Sequence, residues 1–341
     1  MADAQTALLT SLLRDVSRSF YLTLRVLPGR IRPQIGLAYL LARTTDTIAD
    51  TALLPVEKRL GALELLRANI LGAQSTAPDF GEFLARQGSA AERVLLEKCA
   101  LSLKLLESFD EHDRALIRQV LDIITSGQEL DLRRFADASP SRVVALTAEA
   151  ELDDYTYRVA GCVGEFWTRI CRRHLFPKAV LDNALLLAKG VRFGKGLQLV
   201  NILRDLPVDL RNGRCYLPEP SLAERGLRPE ELLNSVNEPR LRPLFNRYLA
   251  RAEADLFAGW DYTNSLPRRF IRVRLACAWP ILIGIETVSL LRAGKVLDPR
   301  QRIKVTRRKV RELLLRSILW YPWPRAWTNL VQPRQPGLTN L

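Results

Sequence analysis

Apolar residues recur at helical spacing along almost the whole chain, in residues 7–13, 56–71, 93–106, 114–126, 241–257 and 272–292, and no run alternates as a half-buried strand would. Helices that each bury one face need one another. A chain of 341 residues built this way is expected to form a single all-α domain, a helical bundle around a central cavity. Connections are expected at residues 28–33, 72–90 and 211–240, where Pro, Gly, Ser and Asn gather. The domain is drawn over residues 1–321, with the Pro-rich residues 322–341 set apart as a tail that wraps the surface or frays.

Two helical segments carry charges that a buried helix rarely tolerates. In one, Tyr39, Arg43, Asp46 and Asp50 fall within roughly 60° on a helical wheel; in the other, Gln198, Asn201, Asp205 and Asp209 span about 80°. Their neighbours are mostly Leu, Ala, Val and Ile, so both helices are expected to be buried. Such a stripe costs several kcal/mol per charge unless it is paired or metal-bound. A single Asp-x-x-x-Asp pair is most often a solvated face. Two of them on facing helices make a cage of four carboxylates, and Mg²⁺ holding a phosphate ester is the occupant this chemistry suggests, with Mn²⁺ as a substitute. Pro207 is placed to bend the second helix and shift Asp209 off the stripe.

Four motifs, in this order, resemble the squalene/phytoene synthase family of head-to-head prenyl transferases. They are Ser17-Arg18-Ser19-Phe20; Tyr39-Leu40-Leu41-Ala42-Arg43 leading into Asp46 and Asp50; Tyr155-Thr156-Tyr157-Arg158-Val159-Ala160-Gly161-Cys162-Val163-Gly164; and the stretch from Gln198 to Pro218. They span about two-thirds of the chain, and the last is the most specific. Ala49 stands where many members carry a further acid. The segment from Ser17 to Arg25 and the block from Leu37 to Asp50 look closer to bacterial squalene synthases than to carotenoid enzymes.

The resemblance implies an isoprenoid synthase-type bundle that condenses two farnesyl diphosphates to presqualene diphosphate and reduces it to squalene with NADPH. Asp46, Asp50, Asp205 and Asp209 would hold Mg²⁺. Arg18, Arg43, Arg204 and Arg214, with Ser17, Ser19, Tyr39 and Gln198, would bind the diphosphate, since an Arg fork matches phosphate oxygens. Structural salt bridges to the same aspartates are the plain alternative for each arginine. Phe20, Val159, Ala160, Val163, Leu197 and Val200 are candidate walls for a carbocation that water would quench, and ordinary core packing is their alternative. Gly161 and Gly164 would let a prenyl chain lie close to the backbone. Tyr155 would stabilise the cation or relay the proton lost at cyclopropane closure, unless it only bonds a buried carboxylate. No Gly-x-Gly-x-x-Gly follows a strand, but the resemblance makes that uninformative, since members that use NADPH bind it in the same cavity without a Rossmann fold; Asn201, Arg302, Lys304 and Arg307 are the NADPH candidates. The rival readings are a reductant-independent phytoene, dehydrosqualene or presqualene diphosphate synthase, and a non-catalytic scaffold of the same fold.

Fifty-one Lys and Arg against 37 Asp and Glu make the chain strongly basic. No nucleic-acid motif accompanies the charge, and nucleic acid is not expected as a partner. Much of the excess lies in residues 295–316 beside Leu313, Leu314, Leu315, Ile318, Leu319 and Trp320. Two readings stay open there: a peripheral contact with an anionic membrane surface, or a helix with its Leu face on the core and its Arg face in water. Residues 276–291 read as a core helix interrupted by Pro280 and Glu286. With no basic leader before an apolar run, the protein is expected in the cytoplasm, with the inner face of the cytoplasmic membrane as the contact if there is one. A monomer is expected. Five scattered cysteines suggest reduced thiols, and His112 and His174 suggest no nucleophilic pair.

Overall fold

The computed structural model describes residues 11–17, 20–74, 76, 78–298, 300–301 and 303–331, Ser17 and Phe20 without their side chains. Nine helices carry the architecture: α1 Arg32–Ala49, α2 Val56–Leu71, α3 Glu111–Arg134, α4 Glu149–Thr156, α5 Cys162–His174, α6 Asn183–Arg211, α7 Glu238–Ser265, α8 Ile271–Ala293 and α9 Arg307–Trp320. Shorter helices fill the connections. The fold is all-α, as the apolar spacing implied.

Local chemistry sets several boundaries. Pro33 sits in the first turn of α1, where its missing N–H costs nothing. α2 begins after Pro55 and stops at Gly72, whose φ of 79° a side chain would resist. Asp110 and Asp182 cap α3 and α6 by accepting from the backbone N–H groups of Asp113 and Leu185. Residues 93–106 prove to be two helices, Ala90–Glu97 and Cys99–Glu107, broken at Lys98. The connection at 72–90 contains a short helix, Gly81–Arg86.

α6 is the spine, packed against α5, α7 and α8. At about 1.5 Å per residue it runs roughly 43 Å. Pro207 lies within it without ending it. After α6 the chain turns at Gly213 (φ 76°) into β2 (Arg214–Pro218), which pairs in parallel with β1 (Val144–Leu146). This two-stranded ladder falls partly in the expected 211–240 connection, and strands of three and five residues leave no readable alternation. Residues 157–161 form a π-helical turn between α4 and α5, inside the third motif. α8 has 23 residues and is apolar enough to cross a membrane by length and composition, but most of its apolar window is buried within the protein. All five cysteines are buried and free. Beyond residue 321, the helix Pro324–Thr328 buries Trp327, which stacks on Trp260 with centroids 4.9 Å apart.

The glycines of the third motif serve the helix crossing first. A Cβ on Gly164 would lie 1.9 Å from the carbonyl oxygen of Gly190, and one on Gly194 would lie 2.1 Å from that of Ala160. α5 and α6 therefore touch backbone to backbone, and the space expected for a ligand beside Gly161 holds Lys195, Tyr157 and Val191. Gly164→Ala should cost about 1–3 kcal/mol or more. Gly61→Ala, on the exposed face of α2 with nothing within 4 Å, should be neutral or gain up to about 1 kcal/mol. Thermal melts of the two variants separate the crossing from ordinary helix propensity.

Candidate active site

α1, α3, α4, α6 and β2 enclose a cavity of about 710 Å³. α1 contributes Tyr39, Arg43 and Asp46, and Asp50 follows at its C-terminal end; α6 contributes Gln198, Asn201, Asp205 and Asp209. All eight residues of the two polar stripes thus line one space, and Pro207 has not displaced Asp209. Arg214, Tyr216 and Tyr155 complete the wall with two residues that the sequence reading passed over, Gln128 and Asp131 of α3.

The carboxylates are not equivalent. Arg43 is shared between Asp46 and Glu92, at 2.6 Å from the latter. Arg204 binds its neighbour Asp205, with Nε 2.8 Å from Oδ1. Asp50 and Asp209 have no ion pair or side-chain hydrogen bond among the described residues. Both open onto the cavity, where protein walls replace much of the bulk solvent. Burial first, and then Asp46, raises the Asp50 pKa to about 7 against the pull of Arg43 and Arg214. Burial and then Asp205 raise Asp209 to about 7, with Arg214 opposing. Asp46 is also pushed up by burial, which Arg43 only partly offsets.

The closed cage expected of the four aspartates is not formed. Among the described residues no three acidic, histidine or cysteine side chains converge closely enough to hold an ion by themselves. The two pairs sit on separate walls, so a metal would need a ligand to bridge them. The donor set still fits Mg²⁺: hard carboxylate oxygens, two of them uncommitted, beside buried acceptors without partners at Asp131 Oδ1 and Gln128 Oε1.

Asp131 anchors a further chain of contacts. The Tyr155 hydroxyl donates to the Tyr216 hydroxyl at 3.4 Å, and Tyr216 donates to Asp131 Oδ2 at 2.9 Å. The two rings stack with centroids 4.8 Å apart. Arg214 reaches the same oxygen at 3.4 Å. Burial raises the Asp131 pKa to about 6 despite Arg214 and Tyr216, and raises both phenols well above their ordinary range. Both tyrosines are therefore neutral carriers of a proton rather than bases.

Two less polar cavities adjoin the first. Val159 and Val163 are shared with a cavity of about 160 Å³ that Ala160, Trp167, Phe193 and Leu197 also line. Leu197, Thr23 and Pro280 are shared in turn with a third, of about 350 Å³. Val200, expected in the main wall, lines this third cavity, as do Arg204 and Lys304. Asn201 borders both the first and the third. Arg307 does not join them: it opens α9, is exposed, and lines none of the three. Arg18, Ser19 and Arg302, and the side chains of Ser17 and Phe20, lie outside the described residues.

The sequence profile described as Squalene/phytoene synthase matches residues 13–309. The chain belongs to the squalene/phytoene synthase family. It is therefore a member of a family of head-to-head prenyltransferases. It is 30% identical over 288 residues to a bifunctional lycopene cyclase/phytoene synthase of Colletotrichum graminicola, covering 82% of this chain and 44% of that protein. The chain thus spans less than half the length of that relative. Among solved structures, TcSQS in complex with the ligand BPH1237 superposes with a TM-score of 0.77 at 21% identity, over 96% of this chain and 89% of the other. A dehydrosqualene synthase in complex with a ligand gives a TM-score of 0.63 at 20% identity, over 94% of this chain and 97% of that one. At those identities the superpositions establish the shared isoprenoid synthase fold.

The raised carboxyl pKa values predict opposing pH trends. A group whose folded pKa exceeds its unfolded value contributes stability that is present below the unfolded value and lost as pH rises through the folded one. Asp50, Asp209 and Asp131 should therefore make the metal-free synthase less stable as pH rises from about 4 to about 7. Stabilisation by Mg²⁺ with pyrophosphate should grow over pH 6 to 8, because the ligands must be ionised. Thermal melts across that range, with and without Mg²⁺ pyrophosphate, check both slopes.

Proposed function

We propose that the protein joins two farnesyl diphosphate molecules head to head to presqualene diphosphate and then converts this to squalene with NADPH. The observation that carries the reading is one cavity in which two uncommitted carboxylates, two arginine-clamped carboxylates and Arg214 meet an apolar compartment. Asp50 and Asp209, with Asp46 and Asp205, would hold Mg²⁺ once a diphosphate bridges the two walls, and the ion would supply the positive charge that neutralises the departing group. Arg43 then exchanges a carboxylate for phosphate oxygens, which its planar fork suits, and Arg214 on the same cavity wall does likewise, whereas Arg204, expected at the diphosphate, lines the third cavity instead.

What the leaving group leaves behind is an allylic cation. Val159, Val163, Ala160 and Leu197 keep water from it, and the Tyr155 ring offers a π face at the cavity wall. Closing the cyclopropane releases a proton. The Tyr155 oxygen accepts it while the Tyr155 hydroxyl proton passes to Tyr216 and the Tyr216 proton to Asp131 Oδ2. Asn201, Arg204 and Lys304 bring an amide and two cations to the third cavity, which fits a nicotinamide carboxamide and a phosphate. NADPH held by these residues would supply the hydride of the second stage.

A reductant-independent synthase of the phytoene or dehydrosqualene type is the second reading, favoured by the names of the curated relative and of one structural neighbour. Purified protein with Mg²⁺ and radiolabelled farnesyl diphosphate, with and without NADPH, separates the two. Squalene only with NADPH is the expected result. A hydrocarbon without NADPH, or turnover confined to geranylgeranyl diphosphate, would establish the second reading in its place.

A further inference from the structure

Between Pro299 and Val331 the sequence holds nine arginines and lysines against the single acid Glu312. α9 lies in this segment. Its inner face is settled: Leu313 and Ser317 are buried, Ser317 accepts from the Trp279 indole at 3.0 Å, and Val310 and Leu314 line the third cavity. Its outer face is apolar where a solvated helix would be polar. Leu315, Ile318 and Leu319 are 60%, 48% and 63% exposed, and Trp323, just past the helix end, is 62% exposed. On a wheel of about 100° per residue these leucines and the isoleucine share one stripe with Arg308 and Arg311. Those two arginines are exposed and have no ion-pair partner among the described residues. Glu312 is neutralised by Lys309 at 3.2 Å and Arg316 at 3.4 Å.

The surface continues beside the helix. Arg268 donates to the carbonyls of Tyr321 and Pro322, which fixes the loop before α8 next to Trp323. Arg269 on that loop and Ile271 at the start of α8 are also exposed. Apolar residues rimmed by unpaired arginines, with Trp at one end, match the chemistry of an anionic lipid headgroup layer over acyl chains.

We propose that the outer face of α9, with Trp323 and the loop before α8, docks the protein on an anionic bilayer. Leu315, Ile318, Leu319 and Trp323 enter the headgroup boundary, and Arg308, Arg311 and Arg269 meet the lipid phosphates. α9 is then a shared wall, lipid on one side and the third cavity on the other. The inference goes beyond the prenyltransferase reading and does not depend on it, since docking is read without turnover.

The test is flotation of the full chain with vesicles of phosphatidylcholine containing phosphatidylglycerol, against pure phosphatidylcholine. Selective flotation with the anionic vesicles, weakening with salt, is expected. Arg308→Glu with Arg311→Glu, and separately Leu315→Asn with Ile318→Asn and Leu319→Asn, should each reduce it by about tenfold or more while the melting temperature holds. Quenching of Trp323 by brominated lipid, lost in Trp323→Phe, gives a second readout. Failure of the wild type to float, or unchanged flotation of both folded variants, overturns the proposal. So does light scattering that shows a dimer which the apolar variant dissociates without loss of vesicle binding, because a second copy then covers the face.

Discussion

Asp50→Asn should raise the melting temperature of the metal-free protein and lower turnover of an allylic diphosphate by about three orders of magnitude. Both effects have one origin. Asp50 is held near Asp46 without an arginine of its own, so its charge is a cost to the folded chain until a cation arrives. Removing the charge relieves the fold and would deprive the proposed Mg²⁺ of a ligand. Asp209→Asn should behave alike. Asp46→Asn should gain less, because burial raises its pKa too but the substitution also takes a paired carboxylate from Arg43 and leaves it with only Glu92. Melts with and without Mg²⁺ pyrophosphate, beside steady-state rates, separate the two classes. Equal shifts of the melting temperature in all three variants would sink the distinction between free and clamped carboxylates.

Tyr155→Phe should lower formation of the cyclopropyl diphosphate by about 10²- to 10⁴-fold while Mg²⁺ pyrophosphate still stabilises the protein. Asp131→Asn should reproduce most of that loss, although its carboxylate sits two hydroxyls away from the Tyr155 oxygen. The double variant should be little worse than either single one, since the three groups act as a chain. A solvent isotope effect on the first step in the wild type, reduced in Tyr216→Phe, would report the relay directly. Wild-type rates in Asp131→Asn would show that the proton leaves by another route and that Asp131 serves only to hold Arg214 and Tyr216.

Legibility in the sequence followed the range of the interaction. The polar stripes on α1 and α6 were readable because an i, i+4 pair is a local pattern, and so was the all-α fold. That Asp46 is committed and Asp50 is not depends on Glu92, which reaches Arg43 from 49 positions away in the chain. Asp131 was missed for a similar reason: its partners lie on β2, 83 and 85 positions on. A signal did exist, since Gln128 and Asp131 interrupt the apolar face of α3 that Ile124 and Leu132 continue. The π-helical turn at 157–161 leaves no trace in residue spacing. Arg307 was grouped with Lys304 by proximity in sequence, but the start of α9 between them turns one away from the cavity that the other lines.

α6 presents two chemistries from a single stretch. Gln198, Asn201, Asp205 and Asp209 line the carboxylate cavity, while Leu197, Val200 and Arg204, each one residue earlier, line the third. The two sets are offset by about 100°, one residue's worth of rotation. Inserting or deleting a single residue near Gly196 would keep the helix intact yet turn each acid out of its cavity, and the contacts of Gly190 with α5 and of Gly194 with the π-helical turn before it would hold the N-terminal half in place as it happened. Length changes among relatives should therefore collect in the connections around α6 and spare the helix itself.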